Sequence, residues 1–287
     1  MKLPRFEYAA PSTVSEAVAL LAAGGGEAKP IAGGQSLVPM LAFRLAAPSL
    51  LVDLRKIPDL NRITVAADEV RLGAMVRWRD ITDDARLATA HPLLQAAVGH
   101  VAHYQVRNRG TVGGSLAHAD PAAEMPGLAL TCDAEIAVTG PAGSRTIAAR
   151  DFFLGTLTTA LAPDEIIVEV WLPRWPPARR WGFQEFARRR GDFAIAGAAL
   201  FYDSDSGKAT NAHVGVIGVG DRPLRLRAVE AVLNGCAIDE ATIARAEDAA
   251  SASVDPHDDI HASAAYRRAL VGTMVERALR DACARAA

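Results

Sequence analysis

The stretch Thr111-Val112-Gly113-Gly114-Ser115-Leu116-Ala117-His118-Ala119-Asp120-Pro121-Ala122-Ala123-Glu124 decides how this chain is read. Two adjacent glycines flanked by hydroxyls let a charged group approach the backbone closely, and two carboxylates follow soon after. A second glycine pair stands far upstream in Ala32-Gly33-Gly34-Gln35-Ser36, between a short strand at Lys29 to Ala32 and a helix that begins at Leu37. A strand, a glycine turn and a helix in that order offer backbone N–H groups and a helix N-terminus to an anion. Either pair alone also reads as a tight turn. Two loops of one chemistry suit a diphosphate, which has two charged groups to surround.

The nucleotide fingerprints narrow the ligand. The chain has no GxxxxGK[ST], and Gly215-Val216-Ile217-Gly218-Val219-Gly220 reverses the GxGxxG spacing and reads as strand. Without a Walker lysine, ATP hydrolysis is disfavoured and a tightly held dinucleotide is the better ligand. Asp120 and Glu124 are either a capping pair or acceptors for ribose and ribityl hydroxyls, and the neighbouring glycines favour the second role for Glu124. Arg107 and Arg109 could offset diphosphate charge or lie at a surface, and Arg188 to Arg190 pose the same choice. Phe193 could lie against an aromatic ring, although beside an apolar strand it reads as core. The seven histidines form no paired ligand pattern, so no metal site is expected, and no catalytic acid or base stands out.

Around these motifs the chain divides. Ser12 or Thr13 caps a first helix that ends at Gly24-Gly25-Gly26, and Leu50 to Leu54 is a compact strand, so residues 1–55 read as a small α/β unit. Arg62 to Val65 and Val70 to Ala74 form a hairpin, Ala134 to Thr139, Ser144 to Ile147 and Ile166 to Leu172 are further strands, and His91 to Ala102 is helical. Residues 56–177 are therefore α+β with an antiparallel sheet. The Pro-rich run from Pro173 to Arg180 can neither continue a helix nor donate to a ladder, and marks a boundary. Residues 178–287 hold strands at Trp181 to Ala187, Ala194 to Tyr202 and Ala212 to Val219, then helices at Pro223 to Leu233, Asp239 to Ala249 and Ala262 to Ala284.

Composition limits the classes. Of 287 residues 50% are hydrophobic, enough for real cores, and 31 Lys plus Arg against 33 Asp plus Glu give no sustained positive field for nucleic acid. Cys132, Cys236 and Cys283 have no metal-ligand spacing and read as buried thiols. There is no signal-like start and no apolar run of membrane-spanning length. A cytoplasmic protein is expected.

The segments Ala32 to Met40, Gln105 to Glu124 and Phe183 to Ala194, the last ending in Arg190-Gly191-Asp192-Phe193-Ala194, resemble the FAD-binding medium subunits of the molybdenum hydroxylases. The likeness to the aerobic carbon monoxide dehydrogenase and xanthine dehydrogenase branches runs over essentially the whole chain. It implies an α+β fold with two FAD-binding subdomains of the vanillyl-alcohol-oxidase (PCMH) type, followed by a domain with a three-stranded antiparallel sheet and helices. It places FAD on Ile31, Ala32, Gly33, Gly34, Gln35, Ser36 and Leu37 and on Thr111, Gly114 and Ser115. Val101, His118, Asp120, Glu124, Ile167 and Gln184 join them by the same likeness. It further implies a small subunit with two [2Fe–2S] clusters, a large molybdenum-pterin subunit, an assembly that is a dimer of heterotrimers, and an external electron acceptor. Two clusters take about eight thiolates, so three cysteines put them in another chain. A stand-alone flavin oxidoreductase and a flavin-free structural subunit are the rival readings.

Overall fold

Thr13, extended at φ −134°, accepts the Glu16 N–H, and the Glu16 carboxylate accepts the Ser12 N–H, so the helix Val14–Ala23 starts with both ends of its first turn capped. Gly25 and Gly26 then take positive φ and turn the chain into the strand Ala28–Ile31. This strand lies parallel to Leu50–Asp53, which on its other side pairs in parallel with Glu7–Ala9. The short strand Glu7–Ala9 is invisible to hydrophobic pattern, because two of its three residues are exposed. Ala17, Val18 and Leu21 of the helix pack on Ala28 and Val52. The computed structural model describes residues 2–285.

The middle layer is a five-stranded antiparallel sheet in the order Ile63–Val65, Glu69–Gly73, Ile166–Pro173, Glu135–Gly140, Gly143–Ala148. Helices Pro92–Val98, Val112–His118 and Glu124–Thr131 share its core through Leu93, Leu94, Val112, Leu116, Met125 and Leu128. The first of these is shorter than His91 to Ala102, since Gly99 caps it and Ala102 turns at φ +41°.

Past the prolines, Arg180–Phe186, Ala196–Asp205 and Lys208–Ile217 form the three long antiparallel strands, with Leu224–Arg225 as a two-residue edge. The second and third strands run on through polar residues to a two-residue turn, Ser206-Gly207, both at positive φ. That edge pairing also shortens the next helix to Arg227–Leu233. Helices Ala264–Ala284 and Arg227–Leu233 lie on the sheet and Glu240–Ala252 packs across them; at Gly182 the missing side chain leaves room for the Ala278 carbonyl of the last helix. Of the cysteines only Cys132 is buried; Cys236 and Cys283 are partly exposed, in a post-helix turn and near the C-terminal helix end.

Candidate functional site

The two glycine motifs, some eighty residues apart in sequence, meet in space. Gly33 lies so close to the Arg109 carbonyl that a Cβ there would collide with it, and Gly110 Cα lies 2.8 Å from the same point. Gly114 in turn faces Ala32, 3.5 Å from where its Cβ would stand. Beside the first pair, where it meets Arg109, opens a groove of about 410 Å³ lined by Ile31, Ala32, Gly33, Gly34, Gln35 and their neighbours Val38, Pro39, Asp53, Arg55 and Arg109.

Gly34 sits at φ +72°, the conformation that turns successive N–H groups to one side. Among the described residues, the backbone N–H groups of Gly33, Gly34, Gln35, Ser36 and Leu37 have no hydrogen-bond acceptor. The loop is held from the other side instead, where the Gln35 side-chain amide donates to the Gly33 carbonyl at 3.1 Å.

The second motif behaves differently. Thr111 to Ser115 is not a loop but the first turn of the helix Val112–His118, with Thr111 as its cap. Four of its five N–H groups are engaged: Val112 donates to the Val76 carbonyl at 2.9 Å, Gly113 to Ala74 at 2.8 Å, Gly114 to Thr111 Oγ1 at 3.1 Å and Ser115 to the Thr111 carbonyl at 3.0 Å. Gly113 is glycine because Ala74 leaves no space for a Cβ. This motif therefore buttresses the groove, and only the Thr111 N–H and the Ser115 hydroxyl are left without a partner among the described residues.

Charge at the groove comes from Arg55, Asp53 and Arg109. Asp53 is buried, accepts from Tyr8 Oη at 2.5 Å and pairs with Arg55 at 2.6 Å. Burial raises its carboxyl, but the Arg55 and Tyr8 hydrogen bonds outweigh that and hold it below the usual range. In the sequence Asp53 falls within the strand Leu50 to Leu54 and Arg55 just beyond it, and nothing local marks either as a groove residue. Arg109 reaches the groove whereas Arg107 does not; its guanidinium donates to the Val101 and Ala102 carbonyls at 2.8 and 2.7 Å.

The remaining positions spread along the joint with the C-terminal layer. Val101 and Ile167 are buried in the middle core, and Gln184 donates to Asp281 at 2.7 Å on the face toward the last helix. His118 ends the helix Val112–His118, and burial lowers its imidazole against the opposing Asp120 charge. Asp120 is an Asx turn, accepting the Ala122 N–H at 2.9 Å, so the Asp120 and Glu124 pair is not a capping box. Glu124 opens the helix Glu124–Thr131. Burial lifts its carboxyl to about 7, partly offset by its own backbone N–H and reinforced by Asp120. Glu185, which sequence reading passed over, is lifted to about 8 by burial and then by the Glu124 charge. Phe193 is 65% exposed and not core.

Two sequence profiles match the chain: the FAD binding domain in molybdopterin dehydrogenase over residues 4–175, and the CO dehydrogenase flavoprotein C-terminal domain over residues 181–282. The chain belongs to the FAD-binding medium subunits of the molybdenum hydroxylase family. It is 42% identical to the 6-hydroxypseudooxynicotine dehydrogenase complex subunit alpha of Paenarthrobacter nicotinovorans, over 100% of this chain and 97% of that one. It is 38% identical to the carbon monoxide dehydrogenase medium chain of Hydrogenophaga pseudoflava, over 99% of each. Among solved structures, a carbon monoxide dehydrogenase from Hydrogenophaga pseudoflava superposes with a TM-score of 0.97 at 40% identity, covering 100% of both chains. Quinoline 2-oxidoreductase from Pseudomonas putida 86 gives 0.95 at 40% identity, over 100% of this chain and 99% of that one. This family member is thus an oxidoreductase subunit with an FAD-binding domain. Among the described residues no cluster of three or more His, Cys, Asp or Glu could hold a metal, and no helix is long and apolar enough to cross a membrane.

Proposed function

We propose that this chain is the electron-relay subunit of a cytoplasmic molybdenum hydroxylase. It would bind one noncovalent FAD, take electrons from the [2Fe–2S] clusters of a small subunit that lie downstream of a molybdenum-pterin centre in a large one, and pass them to an external acceptor. The observation that carries the reading is the row of five unengaged N–H groups from Gly33 to Leu37 at the groove. Such a row fits a diphosphate and has no other evident use in the fold. The names of the relatives, which speak of a medium chain and of a subunit of a complex, support partnership. The dimer of heterotrimers and the division at residues 55 and 177 belong to the same reading.

When bound, FAD supplies the redox chemistry; the chain binds and orients it. The five N–H groups would hold the diphosphate, and Arg109 would offset its charge. Asp53 spends its lone pairs on Tyr8 and Arg55, so that it does not oppose an anion nearby. Ile31, Val38 and Pro39 supply the apolar wall. Packing of Gly33 on Arg109 locks the first layer to the middle one, which keeps the groove from opening. Thr111 and Gly114 would support the cradle through the first turn of the helix Val112–His118, Ser115 would offer its hydroxyl, and His118, Asp120 and Glu124 follow between the end of that helix and the start of the next.

Acid precipitation of the purified complex tests the binding half: FAD should appear in the supernatant at one per chain, and a flavin-free complex overturns it. The relay half is tested by adding substrate. The complex should bleach its flavin, whereas the isolated, flavin-loaded chain should not; bleaching by the isolated chain would establish a stand-alone enzyme instead.

A further inference from the structure

The joint between the middle and C-terminal layers holds a carboxyl pair, Glu124 and Glu185, whose protonation none of the steps above uses. Strand Arg180–Phe186 alternates its faces: Gly182 and Gln184 look to the last helix, while Phe183 packs in the middle core with its ring 4.9 Å from that of His100. Alternation puts Glu185 on the Phe183 side. Glu185 pairs across the sheet with Gly197 and Gly197 with Ile217, and Ile217 presses on Gly127, one turn along the helix that Glu124 opens. Two carboxyls from different layers therefore converge. Glu185 Oε2 is buried without any hydrogen-bond partner, and no side-chain or backbone group beyond the Glu124 N–H itself donates to the Glu124 carboxyl.

We propose that Glu124 and Glu185 form a proton-sharing pair facing the flavin end of the bound cofactor, which takes up one solvent proton when the flavin is reduced. The proposal rests on FAD occupying the groove. The helix Val112–His118 starts where Gly114 faces Ala32, runs for about 10 Å, seven residues at 1.5 Å each, and packs against the helix that Glu124 opens. On this proposal the rest of a dinucleotide whose diphosphate is held at Gly33 to Leu37 extends along that helix toward Glu124.

The surroundings favour a shared proton over two charges. Asp120 adds a negative charge on the Glu124 side, and burial lowers the His118 imidazole against that charge. His100, also lowered by burial and by the Arg190 charge, flanks Phe183. The buried guanidinium of Arg267 donates to the Ile195 and Gly218 carbonyls and pairs with Asp259 at 2.6 Å, so it is already committed. Asp281 lies on the other face, engaged by Gln184. The step balances as follows. Two electrons from the partner clusters and one proton enter the flavin, leaving it with one negative charge. That charge favours protonation of the carboxylate, and a second proton from solvent forms the O–H bond there.

The test uses the purified complex, with flavin content measured first. Redox titration across neutral to mildly alkaline pH should give a steeper fall of flavin potential with pH in the wild type than in Glu185→Gln. The difference should be one proton per two electrons, about 30 mV per pH unit. Infrared difference spectra should show a protonated-carboxyl band that appears on reduction, lost in both Glu185→Gln and Glu124→Gln. Equal slopes at wild-type flavin content overturn the proposal and leave FAD binding intact. A wild type lacking that band on reduction overturns it whatever the variants do. A complex without FAD fails the binding reading itself.

Discussion

The glycine pairs at Gly33-Gly34 and Gly113-Gly114 are nearly the same in sequence and opposite in use. In the first, glycine permits a positive φ, and five consecutive N–H groups are left for a ligand. In the second, glycine permits close packing on Ala74 and Ala32, and the N–H groups go to protein acceptors. A glycine pair between hydroxyls marks close approach, and what approaches, ligand or protein, is set by residues distant in sequence.

Variants sharpen that contrast. The largest effect is expected of Gly34→Val, because a β-branched residue at φ +72° is strained by about 1–3 kcal/mol and would turn the N–H row away from the groove. Flavin retention should fall on the order of tenfold or more by absorbance of the purified complex, with the C-terminal layer still folded. Gly114→Val should come next. Its side chain would crowd Thr111 Oγ1, 2.8 Å from the Cβ position, and push on Ala32, so both flavin content and thermal midpoint should drop. Loss of flavin with an unchanged midpoint would show that this motif contacts the ligand directly. Thr111→Ala should cost about 1 kcal/mol through the lost cap and lower the midpoint by a few degrees, with flavin content close to wild type.

A smaller, pH-dependent effect belongs to the joint. Glu185 is raised from 4.5 to about 8 in the fold, so its protonated form stabilises the native state fully below about pH 4.5, and that contribution is lost as the pH climbs through 8. In the flavin-free chain, Glu185→Gln should therefore gain on the wild type in thermal midpoint as pH rises over that window. Parallel decline of the two would contradict the assigned burial.

The sequence made the layers legible because each has its own pattern: a capped helix ending in three glycines, alternating strands, and a proline-rich run that no ladder accepts. The strand at Glu7–Ala9 was not legible, since its pairing with Leu50–Asp53 carries no apolar signature. The first loop could be read locally, because strand, glycine and helix are contiguous there. The second could not, since the acceptors for its N–H groups are the carbonyls of Ala74 and Val76, brought alongside only by the tertiary fold. On the strand Arg180–Phe186, period-two alternation leaves the inward face undecided until the last helix docks at Gly182. Docking then turns Gln184 outward to Asp281 and Glu185 inward to Glu124.

Amide hydrogen exchange with and without FAD tests most directly the claim that only one of the two glycine pairs holds its N–H groups for the diphosphate. On adding FAD to the flavin-free chain, Gly33 to Leu37 should change from fast to slow exchange, while Val112 and Gly113, already bonded to Val76 and Ala74, should stay slow in both states. Slow exchange at Gly33 to Leu37 before FAD is added, or new protection on binding confined to Val112 and Gly113, would contradict it.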